Sequence, residues 1–381
     1  MDLIRNLLGD EKLNYLGFSY GTWLGAWYAK RFPEHVGNMV LDANADVSAT
    51  WQDIVSARSM GNQRGFEDVV APYLARNNAV FGLGETKEDV YESYDVLADE
   101  LKVALQPFIN QTMVASRNIA SSGQVLLVAQ GIQAILEEFG TPTRETFETF
   151  LERVAAYSFA EDAETNAALS TLATTLASSY LGILFPPTFP FLTPLGAVNT
   201  AVQCNDSVWN QTPEFYAELG TEQDERYPFV GGSETFQPCA FWGEASASMP
   251  ETPENMPAVL LVQSGYDPST PAEGALRAFE SLPGAKLIYV ENELSHTVFP
   301  YDTDCVDAKV AGFLLNGSLP EEDISNCDAK ALPGETDVFA PGTAPSVGDA
   351  VTTQGMVKAA APTGENELYD LVHEMMNAKF H

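Results

Sequence analysis

The chain has 381 residues, of which 45% are hydrophobic and 10% aromatic, a composition typical of a folded globular protein with a sizeable core. Its 19 lysines and arginines stand against 53 aspartates and glutamates, and the resulting net charge of −34 argues against nucleic acid as a partner because it repels phosphate backbones. No stretch reaches the roughly 18 unbroken apolar residues of a transmembrane helix, so the sequence predicts no membrane span.

The amino-terminal part of the chain alternates predicted helices with short apolar strands. The segments are a helix over residues 2–9, a strand over 13–16, a helix over 22–31 and a strand over 38–42. Alternation of this kind is typical of a mostly parallel sheet covered by helices. We therefore predict an α/β fold in which residues 1–44 form the first part of the core.

A short motif lies between the first strand and the helix that follows it. Residues 17–21 read Gly-Phe-Ser-Tyr-Gly and match the pattern G-x-S-x-G. A strand, this pattern and a helix in succession make the nucleophile elbow of α/β-hydrolases, whereas the pattern alone would also fit an ordinary Gly-rich turn. The elbow makes Ser19 the candidate nucleophile. It makes the backbone amide of Tyr20, at the helix N-terminus, a candidate donor to a substrate oxyanion.

The middle of the chain has a different pattern, with long helical segments and few strand signals. Helices are predicted over residues 51–64, 88–105, 124–139, 143–159 and 162–181. We expect residues 45–256 to form a mainly helical cap inserted into the core. Apolar strands return at 258–262 and 286–290, so residues 257–330 are predicted to complete the core. Residues 331–363 are rich in Pro, Gly, Thr and Ala, so residues 331–381 are predicted to form a flexible tail with a candidate terminal helix at 365–379.

A serine nucleophile needs a base to take its proton and a carboxylate to orient that base. In α/β-hydrolases the chain order is Ser, then Asp or Glu, then His. Of the four histidines, His35 precedes the place of the acid, and His373 and His381 lie in the tail. His296 follows the strand at 286–290, where a loop at the carboxyl end of the strand can reach Ser19.

The acid is expected at the carboxyl end of an earlier strand. Asp267 follows the apolar run at 258–262 and precedes Pro268. Its structural alternative is a turn-forming Asp-Pro, and the rival acid is Asp42, which ends the strand after the elbow. With Asp267 as the acid, the sequence predicts acyl transfer through a Ser19–His296–Asp267 triad, with no cofactor and no metal.

Four cysteines, Cys204, Cys239, Cys305 and Cys327, lack the C-x-x-C spacing of a zinc site. Two disulfides are favoured over four free thiols, which indicates an oxidising compartment. Four cysteines allow three pairings, and the sequential one closes the shortest loops.

Several blocks of sequence match a combination of motifs that occurs in a known family. They are residues 14–22, 32–36, 40–42, 201–206, 238–242 and 265–271, then His296 and the segment 305–327 with Leu-Asn-Gly-Ser-Leu-Pro at 315–320. Together they resemble the tripeptidyl aminopeptidase-like, proline iminopeptidase-related serine peptidases of the α/β-hydrolase fold. The last block resembles the TAP-like C-terminal region of these enzymes. The match is strong at both ends and weak through the cap.

The resemblance implies a secreted or periplasmic exopeptidase whose substrate is a peptide with a free N-terminus. It also supports the sequential cysteine pairs. Such enzymes hold the substrate's α-ammonium group with acidic side chains near the cap, and Asp206 is the candidate by position, with a plain surface role as its alternative. The same triad cleaves esters, so a carboxylesterase or lipase is the rival enzyme.

Members of this family carry a Gly-rich oxyanion loop and several strands before the elbow, whereas this chain begins one helix before it. We therefore expect Met1 to be an internal methionine of a longer protein, or the sequence to be a fragment, with the signal peptide lost. A sheet without those strands would expose an apolar edge. The missing loop also leaves a non-catalytic hydrolase-like protein as a further alternative.

Overall fold

Five parallel strands form one sheet in the computed structural model, which describes residues 1–186, 194–230, 238–243 and 247–338. Their order across the sheet is the order of the chain. The strands are β1 (Leu13–Phe18), β2 (Val36–Asp42), β3 (Leu260–Ser264), β4 (Lys286–Glu291) and β5 (Ile324–Asp328).

Helices precede and separate these strands. The helices around the strands of the core are α1 (Asp2–Leu8) and α2 (Tyr20–Arg31), then α13 (Ala272–Ser281) and α14 (Asp307–Asn316). Those between β2 and β3 are α3 (Trp51–Gly65), α4 (Ala71–Arg76), α5 (Asn78–Phe81), α6 (Lys87–Asp95), α7 (Asp99–Met113), α8 (Ala120–Phe139), α9 (Phe147–Ala156), α10 (Ala163–Leu184), α11 (Pro194–Asp206) and α12 (Pro213–Arg226).

Both faces of the sheet are buried, because side chains alternate along each strand and helices cover each side. The face against α2 and α13 carries Met39, Leu41, Leu261, Leu287 and Tyr289. The face against α14 carries Val40, Leu260, Val262, Ile288 and Val290. Burial on two sides explains why these strands read as unbroken apolar runs in the sequence.

The register of the strands brings their carboxyl ends to one edge of the sheet. Paired positions run across it through Phe18, Asp42, Val262 and Ile288. Residues that follow parallel strands therefore leave the sheet on the same side. Ser19 follows β1 directly, Asp267 lies in the loop after β3, and His296 lies in the loop after β4.

Helices α3–α12 lie between β2 and β3, and α4–α10 have a hydrophobic core of their own, whereas Trp51 of α3 and Cys204 of α11 belong to the cluster on the sheet. Phe66 and Phe229 stack in this core with their ring centroids 3.9 Å apart. Tyr266 and Leu294, from the loops after β3 and β4, belong to the same buried cluster. The cap is thus packed directly on the loops that carry Asp267 and His296.

Several elements differ from the sequence predictions, and helices α4, α5, α11 and α12 were not predicted. The segment 88–105, predicted as one helix, is two helices, because α6 ends at Asp95 and the amide of Ala98 donates to the side chain of Gln133 on α8 instead of to a helical carbonyl. Strand β5 was not predicted. It is an edge strand whose Ser, Asn and Asp residues hide the apolar signal of a buried strand.

At the opposite edge, β1 pairs with β2 alone among the described residues. Helix α1, which precedes β1 in the chain, exposes Leu3, Ile4, Leu7 and Leu8.

The candidate terminal helix at 365–379 lies outside the described residues. Residues 331–338, at the start of the predicted tail, are bound to the cap. The hydroxyl of Tyr73 donates to the carbonyl of Pro333 at 3.0 Å, and Arg76 pairs with Glu335 at 2.9 Å. Residues 331–338 thus contact α4.

Helix α10 is the one described helix that is long and apolar enough to cross a membrane by length and composition, with a mean hydropathy of 1.4. One side of it packs on α7, α8 and α9. On the exposed side, the hydroxyls of Thr171, Thr175 and Ser178 donate to carbonyls four residues earlier in the helix. Core helices meet the same criterion, so the criterion alone does not show a membrane span.

Candidate active site

Ser19 lies on a tight turn between β1 and α2. Its backbone has φ 54° and ψ −120°, a region that residues with a Cβ rarely occupy. The Ser19 amide donates to the carbonyl of Asp42 at 3.0 Å, and the hydroxyl of Thr22 donates to the carbonyl of Ser19 at 2.6 Å. These bonds hold a strained serine at the carboxyl edge of the sheet and at the start of a helix, as in a nucleophile elbow.

The first glycine of the motif is required by close packing. A Cβ at Gly17 would lie 2.4 Å from the ring of Tyr15 and 2.6 Å from the carbonyl oxygen of Gly21. A Cβ at Gly21 would meet only the Tyr15 hydroxyl, at 3.3 Å. That hydroxyl donates to the Gly21 carbonyl at 2.7 Å, so Tyr15 fastens the strand to the first turn of α2.

His296 and Asp267 are in direct contact. The Nδ1 atom of His296 is 2.9 Å from Oδ1 and 3.0 Å from Oδ2 of Asp267. The carboxylate is fully buried and the imidazole is 11% exposed. Because a carboxylate accepts and does not donate hydrogen bonds, the Nδ1 atom of His296 carries the ring proton. The Nε2 atom is then free to accept a proton from a serine.

Asp267 is itself held by its own loop. Its Oδ1 accepts from the amides of Ser269 and Thr270, both at 2.8 Å, and its Oδ2 accepts from the Thr270 hydroxyl at 2.9 Å. The turn-forming interpretation of this Asp-Pro is therefore correct, and it coexists with the contact to His296. The turn fixes the carboxylate that the imidazole meets.

Asp42, the rival acid, contacts the histidine loop and makes no hydrogen bond to the imidazole itself. Its carboxylate accepts from the amide of Val298 at 3.0 Å to each oxygen and from the amide of Phe299 at 2.7 Å. Complete burial raises the pKa of the Asp42 carboxyl to about 7, against the opposing effect of these two amides. The geometry favours Asp267 over Asp42 as the partner of His296.

The loop after β4 is fixed by both the core and the cap. From the core, the Ser264 hydroxyl donates to the carbonyl of Ser295 at 2.6 Å. From the cap, the carbonyl of Val114 accepts the amide of His296 itself at 2.9 Å, and the Ser116 amide donates to the Ser295 hydroxyl at 3.0 Å. The backbone of His296 is thus held by the segment between α7 and α8.

The structure brings His296 to Asp267 and ties the turn of Ser19 to Asp42. In the part of the chain that the structure describes, no hydrogen bond joins the Ser19 hydroxyl to the imidazole. Catalytic hydrogen bonds are commonly long or poorly aligned in the absence of substrate, so this geometry does not remove Ser19 from the site.

Tyr20 and Asp206 meet where the elbow faces the cap. The Tyr20 hydroxyl donates to Oδ2 of Asp206 at 2.6 Å, and the Tyr20 ring stacks on Trp51 with a centroid distance of 5.4 Å. Asp206 ends α11 and is half-buried, and this burial raises the pKa of its carboxyl, opposed by the Tyr20 hydroxyl. A carboxylate from the cap therefore contacts the residue that follows the candidate nucleophile.

Both disulfides follow the sequential pairing. Cys204 is bonded to Cys239 and Cys305 to Cys327. The first bond fastens the end of α11 two residues before Asp206, and the second fastens β5 to the segment before α14. Within the described ranges, no group of three or more His, Cys, Asp or Glu side chains has an arrangement that could hold a metal ion.

A parallel sheet covered by helices, with a serine elbow at its carboxyl edge, defines an α/β-hydrolase, and the predicted fold class is confirmed. A family model described as TAP-like protein matches residues 227–327, a range that includes Asp267, His296 and three of the four cysteines. The resemblance to the tripeptidyl aminopeptidase-like serine peptidases is confirmed by this match and by curated relatives.

Two kinds of curated relative match most of the chain. A tripeptidyl aminopeptidase of Streptomyces coelicolor is 29% identical over 347 residues, which are 87% of this chain and 57% of that protein. The serine protease Hip1 of Mycobacterium tuberculosis is 27% identical over 349 residues, 84% of this chain and 59% of that protein. The chain thus spans a little under three fifths of the length of these relatives. A putative hydrolase, YuaR of Escherichia coli, is 40% identical over 47 residues, 12% of this chain and 9% of that protein.

The sequence did not predict the residues whose hydrogen bonds hold Asp267 and His296 in place. Thr270 belongs to the Pro-Ser-Thr-Pro segment that follows Asp267 in the sequence, but the hydrogen bond from its hydroxyl to the Asp267 carboxylate was not predicted. The contact of Val114 with the His296 amide is a backbone contact that depends on how the cap docks, and no side-chain pattern marks it.

Proposed function

We propose that the chain is a serine hydrolase that releases short peptides or single residues from free peptide N-termini. The contact between His296 and Asp267, on the edge of the sheet that carries Ser19, is the observation that supports this most strongly. The names of the relatives, a tripeptidyl aminopeptidase and a serine protease, support a peptide substrate over an ester.

The proposed reaction is acyl transfer. His296 Nε2 takes the proton of the Ser19 hydroxyl as the serine oxygen attacks the peptide carbonyl, and Asp267 stabilises the imidazolium. The Tyr20 amide donates to the oxyanion. The imidazolium then gives its proton to the leaving amine, and the acyl group stays on Ser19 as an ester. Water, deprotonated by His296, attacks that ester and restores the Ser19 hydroxyl.

Asp206 is proposed to bind the α-ammonium group of the substrate. It lies in the cap, its carboxylate is bonded to Tyr20 next to Ser19, and it is half-buried, where an ion pair is screened less than at the surface. The net charge of −34 adds a field that attracts cationic N-termini. The two disulfides support a location outside the cytoplasm, in the extracellular medium or the periplasm.

The experiment compares substrates on the full chain. Tripeptidyl and aminoacyl anilides with a free N-terminus are compared with N-acetylated versions and with simple esters, in parallel with labelling by a fluorophosphonate probe. We expect labelling of the wild type and of Ser281→Ala, a control at the end of α13, and none of Ser19→Ala. We also expect turnover only when the N-terminus is free.

Each alternative has its own outcome. Equal turnover of blocked and free substrates would remove the exopeptidase claim. A preference for simple esters would favour a carboxylesterase or lipase. Absence of labelling would favour a non-catalytic protein.

A further inference from the structure

We propose that Asp42 is a positioning residue that holds the Ser19 turn and the His296 loop at a fixed separation. The proposal rests on the proposed function of Ser19 and His296. It assigns to Asp42 a task different from that of Asp267, which contacts the imidazole directly.

Asp42 bonds to both catalytic segments at once. Its backbone carbonyl accepts the amide of Ser19 at 3.0 Å. Its side chain accepts the amides of Val298 and Phe299, two and three residues after His296. Asp42 is the last residue of β2 and is paired on both sides within the sheet, so its own position is fixed. A single rigid residue therefore sets the distance between the nucleophile turn and the base loop.

The ionised carboxylate is the form suited to this task. Val298 donates to both carboxylate oxygens and Phe299 donates to Oδ2, so each oxygen faces an N–H group. A protonated carboxyl or an amide would place a second donor against one of these amides and lose that bond. The loop is thus held fully only when Asp42 is charged.

Burial opposes that charge. Asp42 is fully buried, and no lysine or arginine pairs with it among the residues that the structure describes. The titratable groups that act on it are His296, whose positive form favours the carboxylate, and Asp267, whose negative charge disfavours it. With the pKa of Asp42 raised to about 7, its ionisation falls in the neutral range, and the hold on the His296 loop weakens as the pH falls.

Asp307 offers a matched control. It is also a buried carboxyl that accepts backbone amides, among them those of Tyr301 at 2.8 Å and Thr303 at 3.2 Å, and burial also raises its pKa. It is the first residue of α14, and the amides of Tyr301 and Thr303 that it accepts lie outside the elbow and the segment 298–299. Asp307→Asn therefore tests the general cost of losing a buried carboxylate near this loop.

The experiment measures the rate of fluorophosphonate labelling of Ser19 against pH in the full chain, for the wild type, Asp42→Asn and Asp307→Asn. We expect the logarithm of the wild-type rate to rise with a slope approaching two in the pH range just below neutral, because the catalytic base and Asp42 must both be unprotonated for full activity. Asp42→Asn should show a slope of one and a plateau lower by about 10²-fold, the typical effect of misplaced catalytic groups. Asp307→Asn should keep the slope of two.

A wild-type slope of one, or an Asp42→Asn protein that keeps a slope of two, would overturn the proposal. Where Asp42→Asn does not fold, the wild-type and Asp307→Asn slopes decide alone. Labelling without peptide turnover would remove the exopeptidase function and leave the role of Asp42 standing. Absence of labelling in the wild type would remove both.

Discussion

The ring nitrogen Nδ1 of His296 lies almost midway between the two carboxylate oxygens of Asp267, at 2.9 and 3.0 Å. Since Asp267 is held in turn by Ser269 and Thr270, the imidazole meets an acceptor that cannot rotate away. The orientation of the base is therefore built into the turn after β3.

Replacing Asp267 by Asn should lower kcat by about 10⁴-fold, because the amide presents a donor to Nδ1 and favours the wrong tautomer. The measurement is steady-state turnover of a free-N-terminus peptide anilide, with thermal unfolding to confirm the fold. A near-normal rate would contradict the assignment and transfer the acid role to Asp42.

The two glycines of the elbow should differ in their tolerance of alanine. Gly17→Ala places a methyl group 2.6 Å from the carbonyl oxygen of Gly21, so it should reduce the free energy of unfolding by about 1–3 kcal/mol and slow labelling of Ser19. Gly21→Ala meets only a side-chain hydroxyl at 3.3 Å and should cost less. Urea unfolding of both variants measures the difference, and equal losses would argue against this account of the turn.

Asp206→Asn should raise KM for substrates with a free N-terminus by about tenfold or more, the range expected for losing a hydrogen bond to a charged group. Tyr20→Phe should act in the same direction, since it removes the donor that orients the carboxylate. Glu218→Gln, an exposed change on α12, serves as the control. If the KM values of Asp206→Asn were unchanged, Asp206 would have no part in substrate binding.

The two disulfides should contribute similarly to stability, but only one of them should affect substrate binding. Replacing either cysteine pair by serines should lower the free energy of unfolding by about 3–4 kcal/mol on a loop-entropy basis, since this entropy depends only weakly on the sequence separations of 35 and 22. Only loss of the Cys204–Cys239 bond should also raise KM, because it releases the end of α11 beside Asp206. Kinetics of the two double variants at a temperature where both are folded provide the check.

Burial of Asp42 should make stability depend on pH. Its pKa rises from an ordinary 3.8 to about 7 on folding, so between these values the native state binds more protons than the unfolded state. The free energy of unfolding should therefore fall as the pH rises through this window. Asp42→Asn removes the titrating group and should show a shallower decline in chemical unfolding at pH 4 to 7. Parallel declines would mean that Asp42 does not titrate there.

The sequence revealed those parts of the site that depend on local chemistry and chain order. Ser19 was marked by its glycines, and His296 and Asp267 were found by their order after Ser19 and by the apolar strands before them. These features are local because each catalytic residue follows a strand that must read as apolar when both faces are buried.

The contacts that hold the site together were not readable in this way. The double attachment of Asp42 depends on the path of the loop after β4, and the acceptor for the His296 amide is supplied by a cap residue nearly two hundred positions earlier. The break between α6 and α7 likewise depends on Gln133, which reaches it only after α8 has packed. Tertiary contacts of this kind leave no periodic pattern in the chain.

The bond from the His296 amide to the Val114 carbonyl limits how this architecture can be rebuilt. On the other side of the site, Gly61 of α3 approaches so closely that a methyl group there would lie 2.7 Å from the carbonyl oxygen of Pro268. Chimeras that exchange the helical insertion for one from another hydrolase would lose both the acceptor and the close fit. Transplantation of the whole insertion should therefore fail here unless the junctions at Gly61 and Val114 are kept from the parent chain.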